Sequence, residues 1–128
     1  MIYLDTSVVL AQLFAEDRQP PEDLWQEPLT ASRLLQYEVW NRVHARRLET
    51  QYGDRVRDLL DRITFIELAL PVLARALEPF PEPVRTLDAL HLATMDFLLG
   101  QGQAIQLASY DTRLLAAARS MRIPTRIL

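Results

Sequence analysis

The 128-residue sequence contains no cysteine. That absence removes a disulfide framework, a thiolate metal site and a cysteine nucleophile, and leaves oxygen and histidine as the side-chain metal ligands. Lysine is absent too, so all 14 basic residues are arginine. Genomic composition bias accounts for such a set, yet arginine is also the better phosphate ligand, because its planar fork bonds two oxygens at once. No long hydrophobic run is present. Asp5 interrupts the early apolar stretch and no basic leader precedes it, so neither a signal peptide nor a membrane span is expected, and the cytoplasm is the expected compartment. Internal repeats and low-complexity segments are also lacking. What remains is 49% hydrophobic and 24% charged, the composition of one soluble globular domain over residues 1–128. A net charge of −3 disfavours a nonspecific polyanion binder.

Met1 to Leu4 reads as a buried strand that turns at Asp5 into a helix over about Thr6 to Glu16. A Pro-rich, acidic loop follows, with one helical turn near Glu22 to Gln26. Leu29 to Ser32 is a second strand, and Arg33 to Tyr52 reads as one helix closed by Gly53. Asp54 to Ile63 is a further helix with a solvated charged side, and Thr64 to Leu68 a third strand. Pro71 suits the first turn of a helix to about Leu77, after which Pro79, Pro81 and Pro83 form a surface loop. Thr86 is the expected N-cap of a helix to Leu99, with Asp88 in its first turn. Ala104 to Ala108 is a fourth strand, followed by a helix to Met121. Thr125 to Leu128 is a fifth strand. Strand and helix alternate throughout, as in a parallel sheet with helices on both faces.

Asp5, Glu38, Asp88 and Asp111 each fall just past a strand or early in the helix that follows one. In a right-handed alternating fold such positions share one edge of the sheet, beside the crevice where strand order reverses. Each acid has a capping or helix-dipole explanation of its own. No basic partner for them is evident nearby in sequence, and two carboxylates about 5 Å apart repel by roughly 3 kcal/mol at an effective dielectric near 20. A divalent cation would relieve that repulsion. Hard oxygen ligands select Mg²⁺ or Mn²⁺ over Zn²⁺, and such ions activate water for in-line attack on a phosphodiester. His91, one turn after Asp88, is expected to pack under the sheet edge rather than bond within the site. Asp96, two turns on, is expected at the surface. Tyr37 and Trp40 suit core or interface use better than base stacking. Arg42, Arg46 and Arg47 are candidates for RNA phosphate contacts, and a solvated helix face explains them equally well.

Leu4-Asp5-Thr6-Ser7, the acid Glu38 within Gln36 to Trp40, the segment from Leu87 to Thr94, and Ser109-Tyr110-Asp111-Thr112-Arg113-Leu114 together resemble the PIN domain, and in particular its VapC group of toxin ribonucleases. The resemblance implies a three-layer α/β fold with a five-stranded parallel sheet in the order 3-2-1-4-5. It further implies a Mg²⁺- or Mn²⁺-dependent endoribonuclease acting on RNA, a cognate antitoxin and a homodimer. By position, Asp5, Glu38 and Asp88 would be the core metal ligands and Asp111 an additional acid, with Ser7 and Ser109 orienting ligands or water. A phosphoacceptor receiver domain fits less well, since receivers use a lysine. A haloacid-dehalogenase-type phosphatase expects an acid where Ser7 stands. A PIN fold kept only for interaction would not need all four acids. A PIN nuclease that processes RNA without an antitoxin remains open.

Overall fold

Short apolar strands survive in the middle of a parallel sheet because both faces are covered and both edges are paired. The computed structural model describes residues 1–14 and 17–128. Among these, the strands are β1 (Ile2–Leu4), β2 (Leu29–Ser32), β3 (Ile63–Ile66) and β4 (Gln106–Ala108). The helices are α1 (Thr6–Phe14), α2 (Arg33–Ala45), α3 (Glu49–Leu60), α4 (Leu70–Ala76), α5 (Thr86–Gly100) and α6 (Thr112–Ser120). A 3-10 turn at Glu22–Gln26 leads into β2, where the sequence places it. The first helix, expected to reach Glu16, is described to Phe14; Glu16 lies outside the described residues.

All pairings are parallel, in the order β3-β2-β1-β4. Alternation along β1 divides the core. Ile2 and Leu4 pack with Val8, Leu35, Val39 and Val56 on one face, under α1, α2 and α3. Tyr3 packs with Leu92, Met95, Leu107 and Leu114 on the other, under α5 and α6. From β1 the chain steps to β2 and then β3 on one side, while β4 lies on the opposite side of β1. The strand order thus reverses between β1 and β4, so the crevice at their carboxyl ends is a topological switch point.

Three expectations need correction. The fifth strand, Thr125 to Leu128, forms no ladder and makes a single parallel bridge between Thr125 and Leu107. Leu107 donates its N–H to Pro124 O and accepts from Arg126 N–H, each at 2.8 Å. The segment therefore runs along the outer edge of β4, where a fifth strand belongs; Pro124, with no N–H, stops the pairing from extending backward, and among the described residues none follows the bridge at Thr125. The sheet is four-stranded, in the order 3-2-1-4.

The long helix from Arg33 to Tyr52 is in fact two. It stops at Arg46, and Arg47 takes a left-handed conformation with φ 54°. Leu48 N–H then bonds Val43 O and Arg47 N–H bonds His44 O, each at 3.0 Å, which is a Schellman ending. Gly53, expected to close that helix, is buried inside α3. Finally, Thr86 is the first residue of α5 rather than its cap; Arg85 occupies the N-cap position without a capping side-chain bond.

Candidate active site

The four acids reach one cavity from four elements. Asp5 follows β1, Glu38 projects from the second turn of α2, Asp88 from the first turn of α5, and Asp111 caps α6. All four line a cavity of about 440 Å³ with Thr6, Ser7, Arg42, Arg85 and His91 among its walls.

Asp5 is the most enclosed of them, 8% exposed. Its Oδ2 accepts the hydroxyls of Ser7 at 2.6 Å and Ser109 at 2.8 Å. Both serines are themselves fixed by backbone donors: Tyr110 N–H to Ser7 Oγ at 3.0 Å, and Asp111 N–H to Ser109 Oγ at 2.9 Å. Both serine hydroxyls, expected to orient ligands or water, are thus bonded to Asp5 itself. Asp5 N–H also bonds Ala108 O at 3.0 Å, continuing the β1–β4 ladder to the acid.

Glu38 is held by two donors on one oxygen. Thr6 Oγ1 donates to Oε1 at 3.0 Å and His91 Nε2 meets the same atom at 2.7 Å. A carboxylate only accepts, so Nε2 carries the hydrogen and Nδ1 is left to accept from the Tyr3 hydroxyl at 2.8 Å. Burial pushes the Tyr3 phenol well above its usual range, opposed by a bond from Ser32 N–H at 3.2 Å. Tyr3 therefore keeps its proton for His91. His91 packs beneath the sheet edge as expected, 2% exposed, but contrary to expectation it also bonds a pocket acid. Tyr3 and Thr6 were not singled out by the sequence, in which Tyr3 reads simply as a strand residue.

Asp88 and Asp111 share a cation. Arg85 Nε donates to Asp88 Oδ2 at 2.8 Å, and its Nη2 to Asp111 Oδ2 at 3.1 Å. These bonds raise the arginine's pKa, the one to Asp88 foremost. The expectation that the acids lack a basic partner nearby in sequence is corrected here. Arg85 precedes Asp88 by three residues, a spacing that pairs side chains on a helix, and that signal was available. Asp111 serves two purposes, since its Oδ1 accepts from Arg113 N–H at 2.9 Å and Leu114 N–H at 3.3 Å.

A second cavity of about 690 Å³ adjoins the first and shares Ser7, Leu10 and Arg42 with it. Ala11, Phe14, Asp17, Arg18, Arg46 and Tyr110 complete its walls. Arg46 lies over the Phe14 ring and Arg18 over the Tyr110 ring. Arg47 lines neither cavity and is the residue that ends α2. Of the remaining expectations, Asp96 does sit near the surface, paired with Arg75 at 2.5 Å. Trp40 packs against the core, whereas Tyr37 is 63% exposed and has no core role.

Sheet and pocket together define an α/β protein whose acids gather at the switch point of a parallel sheet. Residues 2–120 match the PIN domain, and the chain belongs to that family, as its motifs suggest. It is 32% identical over 132 aligned positions to Ribonuclease VapC47 of Mycobacterium tuberculosis (strain CDC 1551 / Oshkosh), an alignment covering 98% of this chain and 95% of that protein. Among the described residues no helix is long and apolar enough to cross a membrane.

Proposed function

We propose that this chain is a Mg²⁺- or Mn²⁺-dependent endoribonuclease, working as a single domain in the cytoplasm and forming the toxin half of a toxin–antitoxin pair. The observation that carries the reading is the convergence of Asp5, Glu38, Asp88 and Asp111 on one cavity. Likeness to a protein named as a ribonuclease supports RNA as the substrate. The donor set is made of carboxylates and hydroxyls, which suits a hard divalent ion. Among the described residues no three His, Asp or Glu stand close enough to share one ion; Asp88 and Asp111 are bonded to Arg85, and Glu38 to His91. The residues fit the metal in kind, and their side chains would have to draw closer together to hold it.

When bound, the ion would supply Lewis acidity and an activated water for in-line displacement at a phosphodiester. The chain's own contribution is position. Ser7 and Ser109 fix Asp5, while Thr6 and His91 fix Glu38, so two acids from different elements face the cavity with little freedom left to lose. Asp88 and Asp111 complete the negative wall. Arg42 stands in both cavities and Arg46 in the second, which suits them to hold the phosphates of a strand leading away from the cleavage point; Arg18 joins them there. Arg47 drops out of that set. Exposed Leu70 and Leu73 on α4 and Leu77 just past its end support a protein partner, either the antitoxin or a second copy forming a homodimer.

The test is cleavage of single-stranded RNA by purified protein with Mg²⁺, with Mn²⁺ and with EDTA. Activity should depend on the ion, and Asp88→Asn should lose activity by at least about a hundredfold together with most of the metal-induced rise in melting temperature. Equal cleavage in EDTA overturns the mechanism. Expression alone should arrest growth until an antitoxin is supplied; healthy growth with active enzyme would instead favour RNA processing.

A further inference from the structure

Arg85 stands at the N-cap position of α5, and its guanidinium meets two of the four pocket acids at once, Asp88 at 2.8 Å and Asp111 at 3.1 Å. A helix-start pair three residues apart accounts for the first contact. It does not account for the second, which crosses the cavity to an acid on another helix. Each acid gives its Oδ2 to this one arginine, and the arginine itself lines the acid cavity. The Arg85 side chain is 55% exposed, so its ion pairs form in a largely wet environment where such pairs are weak and exchange readily.

We infer that Arg85 is the cavity's resident counter-cation: it holds Asp88 and Asp111 until a divalent ion takes them, and its freed guanidinium then binds a phosphate of the RNA strand. The inference rests on the nuclease reading above. A guanidinium and a divalent ion cannot both sit on the same carboxylate oxygens, because their charges repel. The arginine therefore gives way as the metal takes these oxygens. It is rooted at the rim by its backbone, so it stays within reach of the cavity, and its planar fork matches phosphate oxygens as it matches carboxylate. The metal-free protein thereby avoids four unneutralised acids, and the loaded protein gains a cation aimed at the substrate.

The two roles predict effects of opposite sign. Mn²⁺ binding is measured without RNA, by calorimetry and by the electron paramagnetic resonance of free Mn²⁺, on wild type, Arg85→Met and Arg85→Lys. Removing the competing charge should tighten Mn²⁺ binding by about tenfold in Arg85→Met, with Arg85→Lys between it and wild type. At saturating Mn²⁺ the KM for RNA should rise several-fold in Arg85→Met, and Lys should restore part of it. Unchanged Mn²⁺ affinity in the variants overturns the inference, and Arg85→Lys alone decides the matter if the Met variant does not fold. Tighter Mn²⁺ binding with unaltered KM removes the phosphate role. If wild type itself binds no Mn²⁺, the metal-dependent reading fails and takes this inference with it, a result distinct from equal affinities.

Discussion

Glu38 is placed by a relay that starts in the core. Ser32 N–H bonds the Tyr3 hydroxyl, the hydroxyl bonds His91, and His91 bonds Glu38. Every member but the last is buried, so removing the phenolic oxygen leaves a backbone donor and an imidazole nitrogen without partners. Tyr3→Phe should lower stability by roughly 1–3 kcal/mol, measured by urea unfolding at neutral pH. Its pH dependence has a defined sign. The folded state holds the phenolic proton beyond the usual range, whereas the unfolded chain releases it near pH 10. This contribution to stability is complete below about pH 10 and declines above it, by up to about 1.4 kcal/mol per pH unit. The Phe variant should show a flatter alkaline decline by one proton. Asp5, Glu38, Asp88 and Asp111 were all legible in the sequence as strand-end or early-helix acids. Tyr3 and Thr6 were not, because their importance lies in contacts spanning 88 and 32 positions, and periodicity reports only local neighbours; for Arg85 the pairing with Asp88 was legible and the contact with Asp111, 26 positions on, was not.

Two helices end on an arginine in the left-handed region, α2 at Arg47 with φ 54° and α6 at Arg122 with φ 60°. Both close as Schellman motifs, the second through Ile123 N–H to Ala118 O at 2.9 Å and Arg122 N–H to Arg119 O at 3.0 Å. Glycine occupies this conformation with no Cβ penalty, against about 1 kcal/mol for most residues. Part of that gain returns as extra freedom of the unfolded chain. Arg122→Gly and Arg47→Gly should each stabilise by about 0.5–1 kcal/mol, seen as a rise of a few degrees in melting temperature. Because Arg47 lines neither cavity, Arg47→Gly should leave the KM for RNA unchanged; a raised KM would return it to the substrate contacts. The misplaced helix boundary has the same origin. The sequence offered Gly53 as the stop, but the chain turned at Arg47, a residue no local rule favours there, and carried Gly53 into the middle of α3. The fifth strand is a matter of extent: Pro124, with no N–H, cannot pair backward, and among the described residues nothing after Thr125 adds a second bridge to β4.

The parallel sheet, the two-faced core and the edge that carries the acids could be read from the alternation of strand and helix patterns, while the strand order came only from the resemblance to the PIN domain. The charge layout could not. A net −3 conceals an acidic cavity beside one that holds Arg18, Arg42 and Arg46. If these three arginines each neutralise one phosphate of a single strand, they should together contribute about 2 to the slope of log KM against log salt. Arg42→Ser should lower that slope by about 0.7, checked by cleavage kinetics from 50 to 300 mM salt; an unaltered slope would place the strand elsewhere. The position of β1 has one more consequence. Its three residues form the middle of the sheet, yet one neighbour, β4, comes about a hundred residues later, and the serine and last acid that finish the cavity come later still. On the ribosome, the first strand to emerge waits for nearly the whole polypeptide before its second partner exists, and such distant pairings are slow to form. A chain made only as far as α5 therefore carries Asp5, Glu38 and Asp88 but no closed pocket, and we expect the nascent chain to be harmless to the messenger still threading the ribosome that is making it.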